Sequence, residues 1–498
     1  MLVEGVLRGA LFARLLLLFS RCYARLTVFI GIGSVRLIVL TLLGFFFTTI
    51  PLAAQESGLD QEFQAAVSEY NAGHFAEAAA KLEPLVTKLP NNFEVQELLG
   101  LVYSAQSQDA SANPHLAKAV QLNPNSAAAR TNLAANLVRL GKVDLAGEQF
   151  KKAAELDPKS YDTNHNLAEY LIQSKKVPEA IPYLERAQRS KPDSYDNGYD
   201  LALAYLLTKH FAQARAQITS QLKLKDTPEL HNLLGSVEEE DGKFVEAANQ
   251  YELAAHADPS ESNLFDWGSE LLIHRTLGPA IEVFRDAITR YPSSARLAIG
   301  LGMAYYGHGN YDDAVKSLIR AADLDPTDPN CYVFLSKAYD SSPSQVDEVV
   351  QRFRRFSELQ PRNARALYYY AMSLWKGKRA EDPNLDVRQI ESLLKKSLEL
   401  DPRLADAHLQ LGNLYSDQHR YEDAVPEYQH ALDLNPNLAD GHYRLGQAYV
   451  RTGKREEAQE QLQVYQKLNE AQLADLERQR AEVRQFVYAE KDKAGEKP

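Results

Sequence analysis

Small residues recur in pairs at a fixed place in nearly every 34-residue window between about residue 59 and residue 460. In most windows the second member follows the first after twelve positions, and a proline closes the window. Such a period is typical of a solenoid, in which one supersecondary unit stacks on the next. The repeat occupies most of the chain and leaves no room for a separate catalytic domain. The pairs are Ala66/Ala78, Gly100/Ala112, Ala134/Ala146, Ala168/Ala180, Ala202/Ala214, Gly235/Ala247, Gly268/Ala280, Gly302/Ala314, Gly412/Ala424 and Gly446/Ala458.

The window of residues 127–160 shows why this spacing predicts paired helices. Apolar residues recur at helical spacing in two runs, one around Ala134 and one around Ala146. Gly141 lies between the runs, where a helix stops and reverses, and Pro158 follows the second run and cannot extend a helix. Since the side chains at a crossing set the distance between two helices, the alanines predict a close antiparallel contact.

These windows resemble the tetratricopeptide repeat family. The match covers roughly four-fifths of the chain in about twelve tandem windows. It implies an all-α fold, a right-handed α-solenoid of about twelve stacked helix-turn-helix units with a C-terminal capping helix. The pattern is densest in two windows, which carry the family's positions in the family's order: Leu301, Gly302, Tyr305, Gly309, Tyr311, Ala314, Leu318, Ala321 and Pro326, and then Leu411, Gly412, Tyr415, Tyr421, Ala424, Tyr428, Ala431 and Pro436.

Residues 1–54 differ from the rest of the chain and predict an export signal. Arg36 is followed by an apolar run over residues 37–47 and by small residues that end at Ala54, the pattern of a cleaved signal peptide. Cleavage is therefore expected after Ala54, with a retained N-terminal membrane anchor as the alternative. Translation is expected to begin either at the first methionine or near Val35.

The remaining boundaries follow from the repeat. The repeat array is predicted over residues 55–466, with a longer internal loop around residues 377–386. Residues 467–490 contain no proline or glycine and predict an amphipathic helix that covers the end of the stack. Residues 491–498 are expected to be a disordered tail.

The net charge argues against one class of partner, and the cysteine content argues against a disulfide. The formal net charge is −12, and a net acidic chain argues against nucleic acid as a partner, because phosphate binding needs a clustered basic face. Of the two cysteines, Cys22 lies in the leader, so removal of the leader leaves Cys331 without a partner for a disulfide. Cys331 is expected to be a buried apolar residue.

The sequence shows no catalytic constellation. Its histidines are scattered singly, none forms the paired helical motif of a zinc protease, and no cysteine pair accompanies them. Phosphate-binding loops and nucleophile elbows are also missing from the pattern. We therefore predict a protein that is not an enzyme, with no catalytic residues, no cofactor and no metal.

The resemblance implies a binding surface, because the first helix of each pair lines a concave face in this family. Tyr368, Met372 and Trp375 are spaced four and three apart, so they share one helix face and are candidate binding anchors. The alternative is that these side chains pack against adjacent helices. The inward positions are Tyr199, Phe265, Ile299, Met303, Tyr306, Val333, Phe334, Tyr368, Met372, Trp375 and Tyr443.

Some family members bind a terminal carboxylate through lysine, arginine and asparagine positions in consecutive repeats. Asn413 and Arg444 stand at two such positions, but the family's lysines are missing, so this mode is not predicted.

The leading hypothesis is a periplasmic or envelope-associated scaffold that binds an extended peptide or protein segment. The alternatives are an assembly platform of an envelope export or polysaccharide-secretion machine, and a regulatory module for a separate enzyme. The partner's identity and the oligomeric state remain open.

Overall fold

The computed structural model describes residues 53–376, 386–471 and 473, and all regular secondary structure in those ranges is helical. The all-α repeat fold predicted from the sequence is confirmed. Odd-numbered helices are the first of each pair (A helices) and even-numbered ones the second (B helices). The pairs are α1 Ala53–Asn71 and α2 Phe75–Lys88; α3 Phe93–Ala105 and α4 Asp109–Leu122; α5 Ala127–Arg139 and α6 Val143–Leu156; α7 Tyr161–Gln173 and α8 Val177–Ser190; α9 Tyr195–Leu207 and α10 Phe211–Leu224; α11 Pro228–Glu240 and α12 Phe244–Ala257; α13 Glu261–Ile273 and α14 Leu277–Arg290; α15 Ala295–His308 and α16 Tyr311–Leu324; α17 Pro329–Ser341 and α18 Val346–Leu359; α19 Ala364–Lys376 and α20 Val387–Leu400; α21 Ala405–Asp417 and α22 Tyr421–Leu434; α23 Ala439–Arg451 and α24 over residues 455–471.

The helices form two compact units, Met1–Asn263 and Leu264–Pro498. Within each unit, an A helix packs on its own B helix, and that B helix packs on the next A helix. This is the nearest-neighbour stacking of a repeat protein, in which each unit buries its apolar face against the adjacent one.

Small residues lie at the contact between paired helices, as the sequence predicts. In the first unit, Ala134 and Ala146 are both fully buried in one apolar cluster with Phe150. In the second unit, a β-carbon added to Gly302 would lie 2.5 Å from Cγ of Leu318 on the partner helix. Larger side chains at these positions would push the helices apart, because interiors are close-packed.

Capping and turn residues set the ends of each pair. Ser160 accepts a hydrogen bond from the backbone N–H of Thr163 and so caps the start of α7, two residues after Pro158. The turn from an A helix to its B helix passes through a left-handed residue, which is Gly141 (φ +72°) after α5. Other repeats place a residue with a side chain there, for example Lys175 (φ +59°) and His419 (φ +61°).

The expectation for Cys331 is confirmed. Its side chain is fully buried, and burial raises the pKa of its thiol well above the usual range.

Helix α24 passes residue 466 without a break, whereas most of the predicted capping helix lies outside the described residues. So do the predicted leader up to residue 52, the loop of residues 377–385 and the tail. No helix among the described residues has the length and apolar character needed to cross a bilayer.

Candidate partner-binding surface

The predicted stripe on α19 is partly sunk into the protein. Met372 exposes 5% of its surface, and Tyr368 and Trp375 are half-buried against the apolar cluster that extends from α19 to α24. Burial, with the nearby Asp406 and Asp340 carboxylates, raises the pKa of the Tyr368 hydroxyl. Tyr368 therefore remains a neutral hydrogen-bonding group at physiological pH.

Three consecutive A helices of the second unit line one groove, with a volume of about 270 Å³. Helix α19 contributes two apolar side chains and an ammonium, α21 contributes amides and a carboxylate, and α23 contributes a guanidinium. The groove is lined by Met372, Trp375, Lys376, Gln410, Asn413, Asp417 and Arg444.

Asn413 is held in one orientation at the middle of this groove. The hydroxyl of the fully buried Tyr428 donates to its Oδ1 at 2.9 Å, and its Nδ2 donates to Oε1 of Gln410 at 3.1 Å. An amide nitrogen carries two hydrogens, so Nδ2 retains one more donor for a ligand. Because two neighbours fix the amide, binding would require little loss of side-chain freedom.

The charges of the groove are only partly neutralised. Lys376 pairs with Asp340 on α17, and Nε of Arg444 lies 3.4 Å from Oδ1 of Asp440. Arg444 keeps 43% of its side chain exposed and has further donors on its guanidinium. The lining thus contains two cations and the carboxylate of Asp417, and the carboxylates of Asp340 and Asp440 lie beside the two cations just outside it.

Other predicted residues of the second unit lie elsewhere or are covered. Met303 exposes 8% of its surface and Phe334 3%, so neither offers much area to a partner. The Tyr306 ring lies 5.6 Å from the Tyr311 ring. Tyr443 contacts Tyr465 and accepts a hydrogen bond from Gln447 at 2.7 Å. The Phe265 ring lies beneath the Arg296 guanidinium at 5.0 Å and edge-on to Phe284, while Ile299 is buried and Val333 half-buried.

In the first unit, the predicted residue Tyr199 lies on α9, where its ring stacks on Tyr195 at 6.4 Å. On α7 and α9, the ligand atoms of His165, Glu169 and Asp200 lie within 4.8 Å of one another. Burial, with a smaller contribution from Asp196, raises the pKa of Glu169 to about 7. We call His165, Glu169, Asp196 and Asp200 the acidic patch.

Sequence reasoning missed several residues of the groove. Asn413 and Arg444 were recognised as a fragment of a carboxylate-binding set without its lysines, but the structure brings Lys376 of the preceding repeat into the same groove. Its position directly after Trp375, at the end of the A helix, was the available signal. Gln410 and Asp417 lie one helical turn on either side of Asn413, so they face the same way.

The stacked helix pairs and the groove on their A helices define a helical-repeat protein that binds other proteins. The chain belongs to the tetratricopeptide repeat family. Models described as tetratricopeptide repeat match residues 63–127, 104–161, 131–195, 267–329, 171–237, 393–425 and 439–474, and a model described as TPR repeat matches residues 415–453. Together these segments make up more than half of the chain.

Several solved structures align with this chain at low overall similarity. The structure of Naa15/Naa10 bound to HypK-THB is 17% identical over 82% of this chain and 68% of that one, with a TM-score of 0.38. The APC/C hetero-tetramer Cut9-Hcn1 is 16% identical over 84% and 94%, with a TM-score of 0.35. YrrB, described as a TPR protein with an unusual peptide-binding site, is 19% identical over 37% and 96%, with a TM-score of 0.32. Because these scores are low, the family assignment rests on the sequence matches. No curated protein matches the chain in sequence.

Proposed function

We propose that this protein is an exported, non-catalytic scaffold that binds an extended segment of a partner protein in the groove of α19, α21 and α23. The segment would pack an apolar side chain on the half-buried Trp375, because Met372 exposes only 5% of its surface. A carboxylate of the same segment would meet Asn413, Lys376 and Arg444. The family supports the general role in protein interaction, and the composition of the groove supports this choice of segment.

The observation that carries the proposal is the combination of an apolar wall with a fixed amide and two cations. Tryptophan and arginine are the residues that most often dominate binding energy at protein interfaces. A carboxylate that accepts from a guanidinium gains a charge-assisted hydrogen bond, about twice as strong as a neutral one. Asp417 would disfavour a second acidic side chain nearby, which gives the groove a basis for selecting its partner.

Photo-cross-linking tests the groove directly. A photo-reactive amino acid at Gln410, in the full chain incubated with an envelope fraction, should capture a segment that contains an apolar residue beside an acidic one. The matched position is the exposed Gln389 on the B helix α20, which lies outside the groove. Equal capture of the same segment from both positions would count against the groove. Capture through Gln410 of a folded surface only, with no extended segment, would favour an assembly platform instead.

The captured segment can then be measured as a synthetic peptide. The chain has two tryptophans, so Trp267→Phe leaves Trp375 as the only fluorescent tryptophan. We expect peptide binding to shift its emission to shorter wavelength. Calorimetry, which does not depend on tryptophan emission, should show that Trp375→Ala weakens binding by about 2 kcal/mol, or roughly 30-fold. Tyr311→Ala, an exposed aromatic of α16, is the control and should bind as the parent does. Equal affinity of the Trp375→Ala and Tyr311→Ala variants would overturn the proposal.

Export rests on the leader pattern and has its own test. The mature chain isolated from its source should begin at Gln55, because the small residues before it fit a signal-peptidase site. N-terminal sequencing would establish this. A mature chain that retains peptides from residues 37–47 would instead indicate a membrane anchor.

A further inference from the structure

One histidine position recurs near the start of three A helices and always bridges the same two elements. His442 approaches Oε1 of Gln461 through Nδ1 at 2.6 Å and the carbonyl of Pro436 through Nε2 at 3.0 Å. His231 likewise approaches Oε1 of Gln250 through Nδ1 at 2.7 Å. In these repeats the ring ties the start of the A helix to the middle of its B helix, which is a structural role.

The repeat of α21 and α22 changes the partners of this histidine. His408 keeps the contact of Nε2 with the carbonyl of Pro402, at 3.1 Å, but its Nδ1 faces Oε2 of Glu427 at 2.6 Å. A second histidine, His430, follows Glu427 by three residues on α22, and the two imidazole rings lie 5.2 Å apart. At the position of His430, the repeats of His231 and His442 have Leu253 and Val464.

We propose that His408, Glu427 and His430 bind one divalent transition-metal ion, with Zn²⁺ the best match to this set of ligands. The three ligand atoms lie within 4.8 Å of one another. Glu427 and His430 are separated by about one helical turn, so both project toward the same side of α22. His430 is exposed, which gives an ion a path to the site.

The surroundings prepare His408 to be a ligand. The Pro402 carbonyl accepts the proton of Nε2, so the proton that Nδ1 shares with Glu427 is the one that an ion would replace, and the freed lone pair of Nδ1 would then face the ion. Two imidazoles with one carboxylate form a set of ligands typical of zinc sites that keep a position open. Ligands around a four-coordinate Zn²⁺ lie about 3.3 Å apart, so Glu427 would move slightly away from His408 when the ion replaces the shared proton. The open position would accept water or a side chain of a partner.

The sequence alone indicates no metal site, because each histidine stands singly in it. His408 and His430 lie on different helices, and only the pairing of α21 with α22 brings them together. The other group of possible ligands among the described residues, His165, Glu169 and Asp200, offers a single imidazole and a carboxyl whose pKa burial raises to about 7. It is therefore the weaker candidate and a suitable control.

Calorimetric titration of the full chain with Zn²⁺ tests the site. We expect one bound equivalent that Glu427→Gln and His430→Val each abolish or weaken at least about tenfold. Both variants should fold, because Gln250 and Gln461 make the same contact with their histidines elsewhere in the chain and Val464 occupies the position of His430. His165→Asn should leave this equivalent unchanged.

A gain of binding sharpens the test. Gln461→Glu with Val464→His copies the proposed ligands into the next repeat around His442, and should add a second equivalent of Zn²⁺. Circular dichroism of each variant checks that its helices are retained. Zn²⁺ binding that survives both Glu427→Gln and His430→Val, or that disappears with His165→Asn, would overturn the proposal, as would a parent chain that binds no Zn²⁺.

Discussion

The acidic patch of the first unit and the groove of the second unit use equivalent positions of the repeat for opposite chemistry. His165 and Glu169 stand three residues before and one residue after Ala168, and Tyr368 and Met372 stand in the same places around Ala371. The first pair lies beside Asp200, and the second pair leads to Trp375. Equivalent positions of the repeat therefore carry acidic and imidazole side chains in one unit and a tyrosine and a methionine in the other.

Separate residues therefore determine how the paired helices pack and which chemistry the exposed face presents. We call the small buried residues at the helix contact, such as Ala168 and Ala371, the frame. Ala168 and Ala371 are fully buried, whereas His165, Glu169 and Tyr368 beside them keep part of their surface exposed. Changing the surface residues leaves the close approach of the helices intact, because that approach depends on the small side chains. Each repeat can thus vary its exposed chemistry without changing its fold.

The largest effects should come from substitutions in the frame, and they should be similar in the two units. Ala180→Leu on α8 adds bulk to a fully buried position of the first unit. Gly412→Leu does the same in the second unit, where even a β-carbon would lie 2.7 Å from Cε1 of Tyr428. We expect each change to lower the free energy of unfolding by about 1–3 kcal/mol. Hydrogen exchange measured for the affected helices would resolve each unit separately.

The control for that comparison is a glycine with space around it. Gly278→Ala on α14 places a β-carbon with nothing within 4 Å, so it should be neutral or raise stability slightly. If Gly412→Leu loosened α21 and α22 while Ala180→Leu left α7 and α8 unchanged, the frame would differ between the units and the comparison would fail.

The small residues at the helix contacts could be predicted from the sequence, whereas the full lining of the groove could not. Gly302 and Ala146 reveal their role because a small residue that recurs at a fixed interval marks the place where two helices of a repeat touch. An inward position such as Phe334 gives no such signal, since its exposure depends on side chains from neighbouring repeats that cover it. Met372 and Trp375 do line the groove, but Lys376 and Asp417 became recognisable only once α19, α21 and α23 were seen together.

A smaller effect should distinguish the acidic patch from the groove by its response to pH. Burial raises the pKa of Glu169 from an ordinary 4.5 to about 7, with Asp196 adding to the shift. The folded state therefore holds this proton more tightly than the unfolded state does. The stabilisation that comes from this tighter proton binding at Glu169 is complete below pH 4.5 and is lost as the pH rises through about 7. Met372, at the equivalent position of the groove, has no proton to lose.

The raised pKa of Glu169 predicts how much stability is lost as the pH rises, and thermal unfolding can measure that loss. The Glu169 side chain keeps 31% of its surface exposed, so we expect a loss of about 1 kcal/mol between about pH 5 and about pH 8, less than the full shift would give. Thermal midpoints of the parent and of Glu169→Gln, compared at both pH values, should show a smaller decrease in the variant. Asp196→Asn should lower the pKa of Glu169 and give an intermediate decrease. Identical pH profiles for the parent and Glu169→Gln would show that the patch is solvated like any surface carboxylate.

The smallest effect concerns the turns, where the two units are alike. Lys175 after α7 and His419 after α21 both adopt a left-handed backbone that a side chain disfavours. Glycine relieves this strain but adds freedom to the unfolded chain, so Lys175→Gly should raise stability by only about 0.5 kcal/mol. His419→Gly should gain less, because His419 also forms a hydrogen bond with the Tyr421 hydroxyl at 2.9 Å. Chemical unfolding would rank the two variants against Lys176→Gly, which changes a residue outside the left-handed region and should lower stability. A gain for His419→Gly larger than that for Lys175→Gly would mean that the turn of the second unit carries more strain, and that the two frames differ there after all.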